Sequence, residues 1–185
     1  MKYILDFDEV LFNTTALKKK MADLDIPETS RSPEVLQRIT TLDTSFAVES
    51  LIFPGAQKFL SEHGADCIIV SSATSETLAN NTNLEEQLAF QMDKITRSGV
   101  KELAAAVYIV GSSKRETLQG IQNLLEEQGD DMVFMDDRER YVRESHSLGI
   151  KSILMDRSCQ KDLESSEFPR ICSFAEFAEL VEGWK

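Results

Sequence analysis

A short apolar run, Tyr3-Ile4-Leu5, opens directly onto two carboxylates, Asp6 and Asp8. A run of that size fits a strand buried on both faces. If the extended backbone continues, residues i and i+2 share a side, so Asp6 and Asp8 point one way and Phe7 the other. Two like charges held that close are costly unless something uses them. A divalent cation would use them, and so would a paired nucleophile and acid. The plainer alternative is a strand that ends in a polar turn.

The rest of the chain repeats the theme of apolar strand and polar end. Cys67-Ile68-Ile69-Val70 ends in Ser71-Ser72, Ala106–Val110 ends at Gly111, Met132-Val133-Phe134-Met135 runs into Asp136-Asp137, and Ser152–Met155 stops at Asp156. Helical patterns with short connections separate these runs, which predicts βαβ units and a parallel sheet. The expected fold class is α/β, a Rossmann-like three-layer α/β/α core.

Between the first two strands the pattern is helical only. Asn13 and Thr14 can start a helix carrying Leu17, Met21 and Leu24, with Pro27 as its stop. Ser32-Pro33 reads as N-cap and N1 of a second helix, with Val35, Ile39, Leu42 and Phe46 as its apolar stripe. Residues 14–52 are thus expected to form a helical insertion, and 1–13 with 53–185 the core. The run Lys18-Lys19-Lys20 is a solvated face or, more sharply, a lure for anions. Further along, a helix from 55 to 63 ends at Gly64. The segment 75–98 is helical with Leu84, Leu88, Met92 and Ile95 in line, broken near Asn80-Asn81. Ser113 to Glu116 forms a capping box that puts Lys114 in a first helical turn, and Ser173 with Glu176 forms another. The charged helix 139–148 is expected to face water, His63 and His146 to be solvated or capping, and Trp184 to pack or fray.

In an open parallel sheet, ligands bind at the carboxyl ends of the strands. Asp6, Asp8, Ser71, Lys114, Asp136 and Asp137 all fall there or just beyond. Taken singly, each has an ordinary explanation as a cap, turn or surface residue. Taken together they make an oxygen-rich set for a hard cation such as Mg²⁺, with one Lys to offset an incoming phosphate. A carboxylate can then act as a nucleophile on phosphorus.

These runs, in this order, resemble the motifs of the haloacid dehalogenase superfamily in its magnesium-dependent phosphatase branch. Asp6-Phe7-Asp8-Glu9-Val10-Leu11-Phe12 resembles the first motif, Ile68-Ile69-Val70-Ser71 the second, Lys114 the third, and Val133-Phe134-Met135-Asp136-Asp137 the fourth. The resemblance implies a phosphomonoester hydrolase acting through an aspartyl-phosphate. Asp6 would be its nucleophile and Asp8 its acid and base. Ser71 would hold a phosphoryl oxygen, and Lys114 would balance charge beside Asp6 and the phosphate. Mg²⁺ would lie on Asp6, Asp136 and the Asp8 carbonyl, supported by Asp137. The insertion 14–52 would be a small helical (C1-type) cap. Glu9 departs from the pattern, standing where relatives often carry a small residue, commonly Gly. It is expected to point away from the pocket.

Composition narrows the partners. The 32 acidic residues outnumber the 20 Lys and Arg, a net charge of −12, which opposes nucleic acid and anionic membranes. A small phosphorylated substrate needs only a local positive pocket. The three scattered cysteines and the absence of a signal pattern or an apolar span fit a cytoplasmic protein.

Three other readings compete. A non-catalytic or regulatory relative that binds a phosphorylated ligand or a protein partner is favoured by Glu9 alone. A receiver module has the wrong order of acids and Lys. Dehalogenation is opposed by Asp8, while phosphoryl-group mutation stays open.

Overall fold

The computed structural model describes residues 1–73, 83–159 and 167–184. The chain runs through β1 (Lys2–Leu5), α1 (Thr14–Asp23), α2 (Glu34–Leu42), α3 (Pro54–His63), β2 (Cys67–Ser72), α4 (Leu84–Arg97), α5 (Val100–Leu103) and β3 (Ala106–Val110). It continues through α6 (Arg115–Gln128), β4 (Met132–Asp136), α7 (Glu139–His146), β5 (Lys151–Met155), β6 (Arg170–Ile171) and α8 (Phe174–Glu182). Among the described residues the strands form one sheet in the order β3-β2-β1-β4-β5-β6, with every pairing parallel. The expected α/β fold is therefore present, with one strand more than the sequence predicted. The chain steps outward from β1 to β2 and β3, then crosses back to β4 on the other side. That reversal opens a crevice beyond the carboxyl end of β1.

Strand alternation divides the core between the two faces. Tyr3, Leu5, Ile69, Val133 and Met135 join one apolar cluster with α3, α4 and α8, while Ile4, Val70 and Phe134 join another with α6 and α7. On the first face Tyr3, Phe59, Phe174 and Phe177 pack ring to ring, with Phe59 5.1 Å from Tyr3 and 5.2 Å from Phe174 and Phe177. Edge and tilted contacts of this kind add to the burial itself. His63 joins this group 4.7 Å from Phe59, so it packs on rings and is not merely solvated. Trp184 packs near Lys151.

The segment 14–52 holds α1, α2 and a short 3₁₀ turn at Val48–Leu51, with no strand of its own. Asn13 caps α1, its Oδ1 accepting the Ala16 N–H. Leu17, Met21, Val35, Leu36 and Ile39 share the first cluster with the sheet. Three details differ from expectation. The helix α1 stops at Asp23, before Pro27, because the chain turns back through Asp25 at φ 53°. The helix α2 starts at Glu34 rather than at Pro33. Leu42 leaves the apolar stripe and is 55% exposed.

Gly64 does follow α3, but at φ −56°, so left-handed backbone is not its reason. A Cβ there would lie 2.3 Å from the Leu103 carbonyl oxygen, and only glycine lets the two backbones approach. Gly129 and Gly149 meet the usual rule, following α6 and α7 at φ 73° and 80°. The helix α7 is amphipathic rather than wholly solvated, since Tyr141, Val142 and Ser145 are buried. The predicted break at Asn80-Asn81 lies outside the described residues. No described helix is long and apolar enough to cross a membrane.

Candidate active site

Two neighbouring strands bring the first acids together. Leu5 pairs with Met135 in register, and the Asp6 N–H donates to the Met135 carbonyl at 2.9 Å. Asp6 therefore stands level with Asp136, the last residue of β4. Lys114 joins them from the start of α6. Its Nζ donates to Asp6 Oδ1 at 2.7 Å and to Asp136 Oδ2 at 2.6 Å, and its side chain is fully buried. The Tyr141 ring lies 4.8 Å from this ammonium. The other Asp136 oxygen accepts the Arg138 N–H at 2.9 Å. The predicted capping box of Ser113 and Glu116 is not formed, and the N-cap side chain makes no capping hydrogen bond. Lys114 itself takes the N-cap position, and Ser113 Oγ accepts the Arg115 N–H.

Asp6, Asp136 and Asp137 each bring one carboxylate oxygen within 4.8 Å of the others. One buried ammonium cannot balance three carboxylates. Burial first, then the neighbouring Asp136 and Asp8, drive the Asp6 carboxyl up to about 7 against the pull of Lys114. Burial, then Asp6 and Asp136, drive Asp137 up to about 8. Lys114 responds the other way, since its two acids outweigh burial and raise it. Asp137 Oδ1 is buried with no hydrogen-bond partner among the described residues. A hard divalent cation fits this donor set, because all three groups are oxygen ligands and one is unspent.

The charge surplus has a measurable consequence. A carboxyl whose pKa is raised on folding binds its proton more tightly in the folded chain, so its contribution favours folding at low pH and is lost as pH rises. Without divalent cations the thermal midpoint is expected to fall between about pH 5 and about pH 8 as Asp6 and Asp137 ionise. Added Mg²⁺ is expected to recover the loss at the upper end. A midpoint at that pH indifferent to Mg²⁺ would count against cation binding by these acids.

Asp8 belongs to a different network. Its carboxylate accepts from Lys94 Nζ at 2.5 Å, from Gln91 Nε2 at 2.8 Å and from the Thr14 hydroxyl. Burial acts to raise the Asp8 carboxyl, but Lys94 and these hydrogen bonds outweigh it and hold it below the usual range. Its carboxylate is not part of the acidic cluster, so only its backbone carbonyl is left for a shared cation. Gln91 Nε2 also donates to Ser71 Oγ at 2.8 Å, which links Ser71 to Asp8.

Lys94 and Gln91 escaped the sequence reading because α4 is turned from its expected face. The predicted stripe began at Leu84, which is 48% exposed, whereas the buried residues are Gln87, Phe90, Gln91, Lys94 and Ile95. The signal available was a polar stripe, Gln87, Gln91 and Lys94, at helical spacing. Lys94 is 2% exposed with its ammonium 5.6 Å from the ring centres of Phe7, Phe12 and Phe90.

Glu9 stands outside the acidic cluster but does line the cavity above the strand ends, against the expectation that it would point away from the pocket. Its Oε1 accepts the Thr15 N–H at 2.7 Å and the Thr15 hydroxyl at 3.0 Å. Its backbone is left-handed, φ 57°, a conformation that glycine adopts freely. A cavity of about 430 Å³ opens above the strand ends, lined by Asp8, Asp137 and Arg138 together with Lys18, Arg31 and Phe90. It lies between the 14–52 segment and the sheet.

No protein-family model matches this sequence. No curated protein matches it either. Solved structures do. A haloacid dehalogenase-like family hydrolase from Xanthomonas campestris is 12% identical, over 99% of this chain and 95% of its own, with a TM-score of 0.57. A HAD phosphatase from Thermococcus onnurineus is 13% identical over 99% of both chains, TM-score 0.56. The D,D-heptose 1,7-bisphosphate phosphatase of B. bronchiseptica, solved with magnesium and phosphate, is 12% identical over 100% of both chains, TM-score 0.57. At such identities the likeness is one of fold, and the fold of this chain is that of the haloacid dehalogenase-like hydrolases.

Proposed function

We propose that this chain is a Mg²⁺-dependent phosphomonoester hydrolase that acts on a small phosphorylated metabolite. The observation that carries the reading is the Lys114 bridge between Asp6 and Asp136, because it joins acids 130 positions apart in one buried, electron-rich cluster. The fold shared with two phosphatases, one of them solved with magnesium and phosphate, supports it.

In this reading Asp6, Asp136 and the Asp8 carbonyl would hold Mg²⁺, with Asp137 in support. The cation supplies positive charge against the phosphoryl oxygens. An Asp6 oxygen attacks phosphorus and the bond to the leaving oxygen breaks, which gives an aspartyl-phosphate. Asp8 gives the leaving oxygen a proton that it must first take up when substrate binds, since Lys94, Gln91 and Thr14 favour its ionised form in the free protein. It then takes a proton from the water that attacks phosphorus and frees Asp6. Ser71 donates its hydroxyl to a phosphoryl oxygen, and Lys114 balances charge beside Asp6 and the phosphate. The segment 14–52 acts as a small cap, since the cavity lies beneath it. The non-catalytic alternative rested on Glu9, which lines the cavity with its Oε1 held by Thr15.

The test is phosphate release from an aryl phosphate. Turnover is expected with Mg²⁺ and loss of nearly all of it on chelation. Rates unchanged by chelation would refute the cation's part.

A further inference from the structure

The cavity holds a positive charge that the proposed hydrolysis does not use. Arg31 lines it from the loop before α2, half-buried, its guanidinium 5.6 Å from the centre of the Phe90 ring. Lys94 lies the same 5.6 Å from that ring centre. Two cations thus share one aromatic ring, and each disfavours the other. Lys94 is compensated by its contact with Asp8. Arg31 is not, since among the described residues it makes no hydrogen bond or ion pair, and Asp8 and Glu28 act on it only at a distance. Lys18, half-buried on α1, lines the same cavity, also without an ion pair among the described residues. Of the acids that line the cavity with them, Asp8 is held by Lys94, the Glu9 Oε1 by Thr15, and Asp137 lies in the acidic cluster, while Glu28 is exposed and acts on Arg31 only at a distance. Leaving a partly desolvated guanidinium unpaired is unfavourable, and an entering anion removes that cost with directed hydrogen bonds.

We propose that Arg31, seconded by Lys18, receives a second anionic group of the substrate, so that the preferred substrates are phosphomonoesters bearing a further carboxylate or phosphate. This deepens the hydrolase reading and rests on it for turnover, though not for binding. A cavity of about 430 Å³ suits a small metabolite of that kind. The net charge of −12 sharpens the contrast, because a doubly anionic ligand would otherwise be repelled.

Two matched pairs of probes test it: glycerol phosphate against phosphoglycerate, and a hexose monophosphate against a hexose bisphosphate. The wild type is expected to favour the doubly anionic member by about tenfold or more in kcat/KM, mainly through KM. Arg31→Gln is expected to bring that ratio toward one, and Arg31→Lys to recover part of it. A wild-type ratio near one in both pairs, or a ratio that Arg31→Gln leaves intact, overturns the proposal. Whichever pair shows the larger ratio identifies the second group as carboxylate or phosphate. Calorimetric binding of the same pairs to Asp6→Asn separates the two readings. If no protein releases phosphate but Asp6→Asn still shows an Arg31-dependent gap in affinity, the hydrolase reading fails and the anion subsite stands. If turnover proceeds with no such gap, the subsite fails alone.

Discussion

Asp6→Asn is expected to lower phosphate release by roughly a thousandfold or more, the scale seen when a nucleophile is removed. The structure separates this loss from a loss of fold. Asp6 is buried beside two other acids, and its carboxyl is driven up to about 7. A neutral amide relieves that crowding while Asp136 still accepts from Lys114. The variant's thermal midpoint without Mg²⁺ near pH 8 is therefore expected to equal or exceed the wild type's. An inactive but stable protein is the expected result. Full activity would remove Asp6 from the chemistry, and a collapsed midpoint would mean that the carboxylate is structural.

Lys114→Met is expected to have the largest effect on stability. Its ammonium is fully buried and offsets Asp6 and Asp136 at once. Removing one partner from a buried ionic group costs about 3–5 kcal/mol, because the remaining charges stay desolvated and unpaired. For a chain of this length that corresponds to roughly 6–20 °C in thermal midpoint. The loss is expected to grow with pH as the acids ionise, and to shrink when Mg²⁺ replaces part of the missing positive charge. Lys114→Arg is not expected to recover it, since a planar guanidinium does not fit a closed site shaped for a point charge. A Lys114→Met midpoint within a degree or so of the wild type would contradict the charge balance described here.

Much of this arrangement was legible in the sequence because buried parallel strands leave a blunt signature. Tyr3–Leu5, Ile68–Val70 and Val133–Met135 are apolar runs whose polar ends mark where the sheet stops, and register then levels Asp6 with Asp136. What the pattern hid was the orientation of α4. Two stripes at helical spacing are present there, one led by Leu84 and one running through Gln87, Gln91 and Lys94. Hydropathy selects the first, yet the second is buried, with Asp8 and Ser71, far away in sequence, satisfying Gln91 and Lys94. No local rule could supply that partner. The strand β6 was missed for a simpler reason: two residues, Arg170 and Ile171, are too few to show a period. Arg31 escaped notice because a lone arginine in a polar loop is ordinary until a ring and a cavity are placed beside it.

The most direct test is an anomalous difference map from crystals soaked in Mn²⁺, which takes oxygen sites of the same kind as Mg²⁺. The expected result is one peak within about 2.0–2.3 Å of a carboxylate oxygen from both Asp6 and Asp136. A peak elsewhere, or none at saturating metal, would contradict a shared cation at the carboxyl ends of β1 and β4.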